Sequence, residues 1–154
     1  VGISNERRLM ERLVEQGADF AAKIAVVRDG KDVRVLEQSI SKYLNVTDRV
    51  TGKQKQKMVF GNPNTAVTNI VRAISQLQGN GFAEHLVPPE IYDLRSYYGL
   101  ENVGYYPEVF SIGDGARIEG QAVAAKGNVL IFKNGSRFFS LNSHDLIGRE
   151  IKMN

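Results

Sequence analysis

Apolar side chains recur at spacings of three and four residues along much of the first hundred positions, which is the period of an amphipathic helix. This pattern predicts helices over about residues 5–16, 33–44 and 65–78. A short fourth helix is predicted over 89–98, because Pro89 suits a first helical turn and Gly99 a C-terminal end. Between the first two helices, an apolar run followed by an Asp-Gly turn signal predicts a strand over 22–28.

After residue 100 the pattern changes to short runs rich in Val, Ile, Phe and Tyr, separated by glycine-containing turns. Strands are predicted over about 104–112, 116–124, 128–133 and 136–141, the last two joined by a turn at Asn134-Gly135. We therefore expect an α+β fold in which about four N-terminal helices pack on a C-terminal antiparallel β-meander or small barrel. A single domain over 1–154 is expected, with a possible subdivision into a mainly helical 1–100 and a mainly β 101–154.

The segment over residues 38–57 has two interpretations with different functional consequences. In the first, it is part of a DNA-binding helix-turn-helix, a motif whose second helix enters the major groove. Asn45 would take the left-handed conformation of the turn, Val46 would be buried, and Thr47 would cap a recognition helix that starts at Asp48.

In the second interpretation, Thr51-Gly52 forms the tip of a basic β-hairpin near residues 46–60, and Gly52 favours it because glycine weakens the interior of a helix. The alternating sequence KQKQK would then place its lysines along one side of a strand. Such a ribbon would contact the phosphates of a nucleic acid or a protein partner, or would only protect a sheet edge. The contact residues predicted from it are Arg49, Lys53, Lys55 and Lys57.

The net charge of +3 is unevenly distributed along the chain. Residues 1–57 carry twelve Lys/Arg and eight Asp/Glu, residues 58–110 carry two and five, and residues 111–154 carry six and four. The excess of +4 in the first third is modest for a nucleic-acid-binding protein, but its sign suits contact with a polyanion.

Composition argues against several classes of site. The chain has no Cys and only two His, so neither a disulfide framework nor a zinc site is expected, and no metal or other cofactor is predicted. The apolar runs are far shorter than the roughly 20 residues of a membrane-spanning helix, and no apolar signal core is present. We therefore expect no membrane association and a cytoplasmic or otherwise intracellular location.

Three polar residues near a predicted strand are weak catalytic candidates: Asp114, Glu119 and Gln121. On a strand over 116–124, Glu119 and Gln121 would point the same way. This arrangement resembles the acidic pair that holds a divalent metal in PD-(D/E)xK nucleases, although Gln121 stands where those enzymes have a lysine. The alternative interpretation is that these three residues are exposed polar residues of a turn and have no catalytic role.

Two tyrosine pairs, Tyr97-Tyr98 and Tyr105-Tyr106, flank a short glycine-containing segment. One member of each pair is expected in the core and the other at the surface, where a tyrosine ring favours contact with another chain or a stacked base.

Three functions follow from these patterns. The first is a non-catalytic nucleic-acid-binding module that uses the basic first third; the second is an assembly subunit of an oligomer or particle that uses the 46–60 hairpin; the third is a small metal-dependent nuclease.

Overall fold

The computed structural model describes residues 1–46 and 50–150, apart from the side chain of Lys53. The α-helices described are α1 (Leu9–Gln16), α2 (Gly30–Leu44), α3 (Gly52–Lys57) and α4 (Pro63–Gly79). The strands described are β1 (Phe20–Ala25), β2 (Leu86–Asp93), β3 (Glu108–Val109), β4 (Gln121–Lys126), β5 (Val129–Asn134) and β6 (Arg137–Asn142). The fold is mixed α+β with helices towards the N-terminus and most strands towards the C-terminus, which confirms the predicted class.

These residues form two compact units that interleave along the chain. Unit 1 consists of Val1–Leu13, Asp19–Val50 and Gly61–Leu94, and unit 2 of Val14–Ala18, Thr51–Phe60 and Arg95–Asn154. The chain enters unit 2 for the last time at Arg95, close to the change of sequence pattern near residue 100. None of the helices described combines the length and the apolar composition needed to cross a membrane.

Unit 1 contains a two-stranded antiparallel sheet, β1-β2, and α4 packs against β1. The two long helices of this unit begin at side-chain caps, because the Asp29 carboxylate accepts from the backbone of α2 and the Asn62 amide oxygen accepts from Thr65 N in α4. Ile40, Ile74 and Leu77 are its buried helical residues. The sequence predicts these helices to within a few residues.

The helix predicted over 89–98 is wrong, since residues 86–93 form β2. The register of β1 and β2 shifts between the pair Lys23-Glu90 and the pair Ala25-Leu86. Pro88 and Pro89 lie in the irregular stretch between these two pairs. Proline has no backbone N–H to donate, so it is tolerated where the ladder is interrupted. The same two prolines that indicate a helix start therefore occupy a strand irregularity.

Unit 2 contains a four-stranded sheet in the order β3-β6-β5-β4. Strands β4, β5 and β6 form the predicted antiparallel meander, and among the strands described the sheet is open rather than a barrel. The predicted strand 104–112 is reduced to the two residues of β3, which pairs parallel to β6 and not as part of the meander. The predicted strand 116–124 begins only at Gln121.

The core of unit 2 lies on one face of this sheet and under α3. It consists of Val59, Val103, Ala124, Val129, Ile131 and Phe138. Helix α3 packs on β5 and β6, and the buried Gln56 side chain donates from Nε2 to the Ser140 carbonyl oxygen at 3.3 Å. A polar residue is stable in this position because its amide has a hydrogen-bond partner.

The β-hairpin predicted near residues 46–60 is wrong, because Gly52–Lys57 is helical. Thr51 and Gln54 form a reciprocal capping box, in which Gln54 N donates to the Thr51 hydroxyl at 3.3 Å and Thr51 N donates to the Gln54 amide oxygen at 2.8 Å. In a helix, residues two apart point about 200° apart, so Lys55 and Lys57 do not share one side. The local cap overrides the alternation of Lys and Gln.

The helix-turn-helix interpretation is confirmed only at the end of α2. Asn45 takes the left-handed conformation there (φ 50°), but Val46 is 42% exposed instead of buried. Thr47 and Asp48, the predicted cap and helix start, lie outside the described residues. The next helix begins at Gly52, and α2 and α3 belong to different compact units.

A buried lysine closes the C-terminal end of α3. Lys126 is only 5% exposed, and its Nζ donates to the carbonyl oxygens of Met58 at 3.3 Å and Val59 at 3.0 Å. The carbonyls just beyond a helix are partly negative, so an ammonium group is favourable there. Lys126 thereby joins β4 to the segment that follows α3.

Candidate functional site

An open cleft lies in unit 2 at the end of the sheet where β4 begins and β5 ends. It has a volume of about 370 Å³ and is lined by Asn102, Gln121, Ala122, Val123 and Lys133. Its polar side chains are two amides and one ammonium group, with no carboxylate among the lining residues. The cleft therefore presents hydrogen-bond donors, acceptors and one positive charge.

The strand register places three side chains of this region in one row across the sheet. Gln121 on β4 pairs with Lys133 on β5, and Lys133 pairs with Phe138 on β6. Directly paired residues of antiparallel strands lie on the same face. The Lys133 ammonium is 5.8 Å from the centre of the Phe138 ring, a distance at which a cation is attracted to a ring face.

Two glycines shape the walls of the cleft. A Cβ atom at Gly120 would lie 2.6 Å from the Lys133 carbonyl oxygen, so only glycine allows β4 to start this close to β5. Gly99, with a φ of 68°, starts the turn that carries Asn102, whose Nδ2 donates to the Gly99 carbonyl oxygen at 3.2 Å. Both walls depend on backbone approaches that a side chain would prevent.

Two exposed tyrosines, Tyr105 and Tyr106, form what we call the tyrosine rim. The Tyr105 ring packs edge-to-face on Phe138 with centroids 5.1 Å apart, and its hydroxyl donates to the Ser136 carbonyl oxygen. The Tyr106 ring packs in the same way on Phe60 at 5.2 Å, and its hydroxyl donates to the Phe60 carbonyl oxygen at 2.9 Å. Both rings are thus held in place while remaining 50% and 55% exposed.

The prediction that each tyrosine pair has one buried member is confirmed for Tyr97-Tyr98 and wrong for Tyr105-Tyr106. In the first pair, Tyr98 is buried and donates to the Ala18 carbonyl oxygen at 2.7 Å, while Tyr97 is 61% exposed, as predicted. In the second pair, each ring packs on a neighbouring phenylalanine without being covered by it. Unit 2 therefore exposes three tyrosine rings instead of two.

The positive charge of the first third divides between the two units. Within the described residues, unit 1 carries nine Lys/Arg and nine Asp/Glu, whereas unit 2 carries nine and seven. Lys55 is half-buried and Lys57 is exposed on α3, which belongs to unit 2. Arg49 lies outside the described residues, as does the side chain of Lys53. The excess of positive charge therefore lies in the unit that holds the cleft.

The three catalytic candidates have separate surroundings. Asp114 pairs with Arg149 at 3.3 Å, Glu119 pairs with Arg117 at 2.6 Å, and Gln121 lines the cleft. Glu119 precedes β4, so it does not share a strand with Gln121 as predicted. In the described part of the chain, no three His, Cys, Asp or Glu side chains are arranged to hold a metal ion.

Unit 1 holds a separate ionic cluster around Lys23. Its Nζ lies 3.2 Å from a Glu6 carboxylate oxygen and 3.4 Å from one of Glu90, and hydrogen bonding to Glu6 raises the pKa of Lys23. The Tyr92 hydroxyl donates to Glu90, which lowers the pKa of Glu90 and raises that of Tyr92. A nucleophilic lysine needs a lowered pKa, so the raised pKa of Lys23 is that of a lysine in an ion pair.

Lys133 and Asn102 are the polar cleft residues that the sequence did not predict. The hairpin β5-β6 was predicted with Asn134-Gly135 as its turn, but Asn134 pairs with Arg137, so the turn residues are Gly135 and Ser136. A turn at Asn134-Gly135 would pair Lys133 with Ser136, whereas the observed turn pairs it with Phe138. Reading Gly135, with its φ of 58°, as the first turn residue would have paired Lys133 with Phe138.

Comparison with protein families matches residues 1–151 to a model described as a protein of unknown function (DUF2797), and the chain belongs to this family. Searches of curated proteins and of solved structures each found no match.

Proposed function

We propose that this member of the DUF2797 family is a binding module that contacts nucleic acid through the cleft of unit 2. The observation that carries the proposal is the row of Gln121, Lys133 and Phe138 across three strands, beside the exposed ring of Tyr105. An ammonium group, amides and an aromatic ring in one place match the phosphate, the polar edge and the face of a nucleotide.

Lys133 supplies the phosphate contact. It is exposed, its ammonium group lies 5.8 Å from the centre of the Phe138 ring, and it forms no salt bridge with a carboxylate of the described residues. An ammonium group that is not neutralised by the protein keeps its charge available for a phosphate. Arg137, on the next strand, is different, because its guanidinium donates to Glu108 at 2.7 Å and this contact raises the pKa of Arg137.

The amide groups supply the polar contacts. Gln121 is exposed at the edge of the cleft, and Asn102, which also lines it, uses its Nδ2 within its own turn. An amide both donates and accepts, as the edges of bases do. The backbone of Lys57 reaches the tyrosine rim, since its carbonyl oxygen lies 3.5 Å from the Tyr106 hydroxyl.

Replacing Lys133 by glutamine is expected to weaken binding of a single-stranded oligonucleotide by about three- to tenfold at low salt. Log affinity falls as log salt rises, and removing one phosphate contact makes this slope less steep by about 0.7. Fluorescence anisotropy of a labelled 12-nucleotide strand, measured over a salt series, gives both quantities.

The matched control is Lys42→Gln, which makes the same charge change at an exposed lysine on α2 in unit 1. It is expected to leave the affinity within about twofold. Equal affinities and slopes for the wild type, Lys133→Gln and Lys42→Gln would exclude the cleft as the site. Self-association remains a prediction, and light scattering of the same samples would detect it.

A further inference from the structure

We propose that the ligand of the cleft is a single strand, and that Tyr105 is the surface on which one of its unpaired bases stacks. This inference rests on the proposed function and names its substrate class.

The Tyr105 ring is exposed but fixed. Its edge-to-face contact with Phe138 and its hydrogen bond to the Ser136 carbonyl oxygen hold two ends of the side chain, while half of its surface remains accessible. A ring that is already ordered loses little conformational entropy when a base stacks on it. Tyr106, held in the same way on Phe60, offers a second ring at the adjacent position.

The amides of the cleft favour an unpaired base. Asn102 and Gln121 lie at the cleft together with Lys133, whose side chain also contacts the Phe138 ring that carries Tyr105. In a duplex the Watson–Crick edges are occupied by the opposite strand and the base faces are stacked, whereas in a single strand both are available.

The α-helix that lies wholly in unit 2 is unsuited to a major groove. Groove-reading helices present several side chains to base edges. Helix α3 has six residues, packs on β5 and β6, and directs Gln56 into the core. In the described part of unit 2, the rings and the cleft are therefore better suited to recognition than α3 is.

The test compares a labelled 12-nucleotide strand with a duplex of the same sequence, by anisotropy at low salt. The strand is expected to bind at least about tenfold more tightly, and Tyr105→Leu is expected to reduce the affinity for it by about fivefold to a hundredfold. The salt slope should stay unchanged in Tyr105→Leu, because no phosphate contact is lost. The circular dichroism spectrum of Tyr105→Leu should match that of the wild type, so that the loss of affinity does not come from a loss of folded protein.

Tyr43→Leu is the matched control, because Tyr43 is a 43% exposed tyrosine of unit 1 that also packs on a phenylalanine, Phe82 at 5.5 Å. It should bind as the wild type does. Tyr105→Phe keeps the ring and is expected to bind within about threefold of wild type. The chain has six Tyr and no Trp, so quenching of tyrosine emission by the strand provides an independent signal that Tyr105→Leu should diminish.

Equal affinity for strand and duplex, with Tyr105→Leu unchanged, would overturn the single-strand inference and leave nucleic-acid binding in place. An absence of binding to strand and duplex alike would overturn the proposed function itself. Loss of affinity in Tyr43→Leu equal to that in Tyr105→Leu would also overturn the inference, because stacking would then not be specific to the cleft.

Discussion

Replacement of Lys126 by alanine is expected to lower the free energy of unfolding by about 3 to 5 kcal/mol. The variant loses two charge-assisted hydrogen bonds, to the carbonyl oxygens of Met58 and Val59, and leaves those acceptors without the ammonium group. Because Lys126 is 5% exposed, water does not readily replace it. Urea denaturation followed by circular dichroism measures the change.

Lys133→Ala is the control for this variant, since it removes an exposed lysine from the next strand of the same sheet. It is expected to change the free energy of unfolding by no more than about 0.5 kcal/mol. A third variant, Lys126→Met, keeps most of the apolar stem and should lose less than Lys126→Ala. If Lys126→Ala were as stable as Lys133→Ala, the two carbonyl contacts would not contribute to stability.

Replacement of Gly120 by alanine is the second large effect, with an expected loss of about 2 to 4 kcal/mol. The new Cβ would lie 2.6 Å from the Lys133 carbonyl oxygen, and the φ of 150° at Gly120 is a conformation that residues with side chains rarely adopt. The start of β4 must then move away from β5. Thermal unfolding reports the loss, and the affinity for the labelled strand reports the widening of the cleft.

Gly113→Ala is a matched control in the same unit, because a Cβ there would meet no atom within 4 Å and the φ of Gly113 lies outside the left-handed region. It should leave both the unfolding temperature and the affinity unchanged. A Gly120→Ala variant that unfolds with the wild-type midpoint would mean that β4 and β5 tolerate a wider separation at this end.

The sequence predicts the long elements of this fold because their apolar periods are supported by local caps. Helix α4 has both a clear stripe and an Asn62 cap, and β5-β6 has alternation around a turn. Helix α3 and β2 are missed because local signals conflict there. Alternating Lys and Gln suggests a strand where a capping box forms a helix, and Pro89 suggests a helix where β2 has an irregularity.

The candidate site was less accessible to prediction than the fold. Gln121 was named, but for a pairing with Glu119 that requires an earlier start of β4. Lys133 depends on a turn register that differs by one residue from the predicted one, and the contact of Tyr105 with Phe138 joins parts of the chain that no local pattern relates. Charge counted along the sequence also placed the basic character in the first third, whereas the compact units assign α3 to unit 2.

The interleaving of the two units has a consequence for how this protein can be divided in the laboratory. Unit 2 takes Val14–Ala18 and Thr51–Phe60 from the first part of the chain, and the second of these segments supplies core residue Val59 and the Tyr106 partner Phe60. A fragment that starts at Arg95 would lack Val59 and the Met58 and Val59 carbonyl oxygens to which Lys126 donates. No single cut yields unit 2 intact, so the cleft has to be studied in the whole chain or in a redesigned gene that rejoins the three segments.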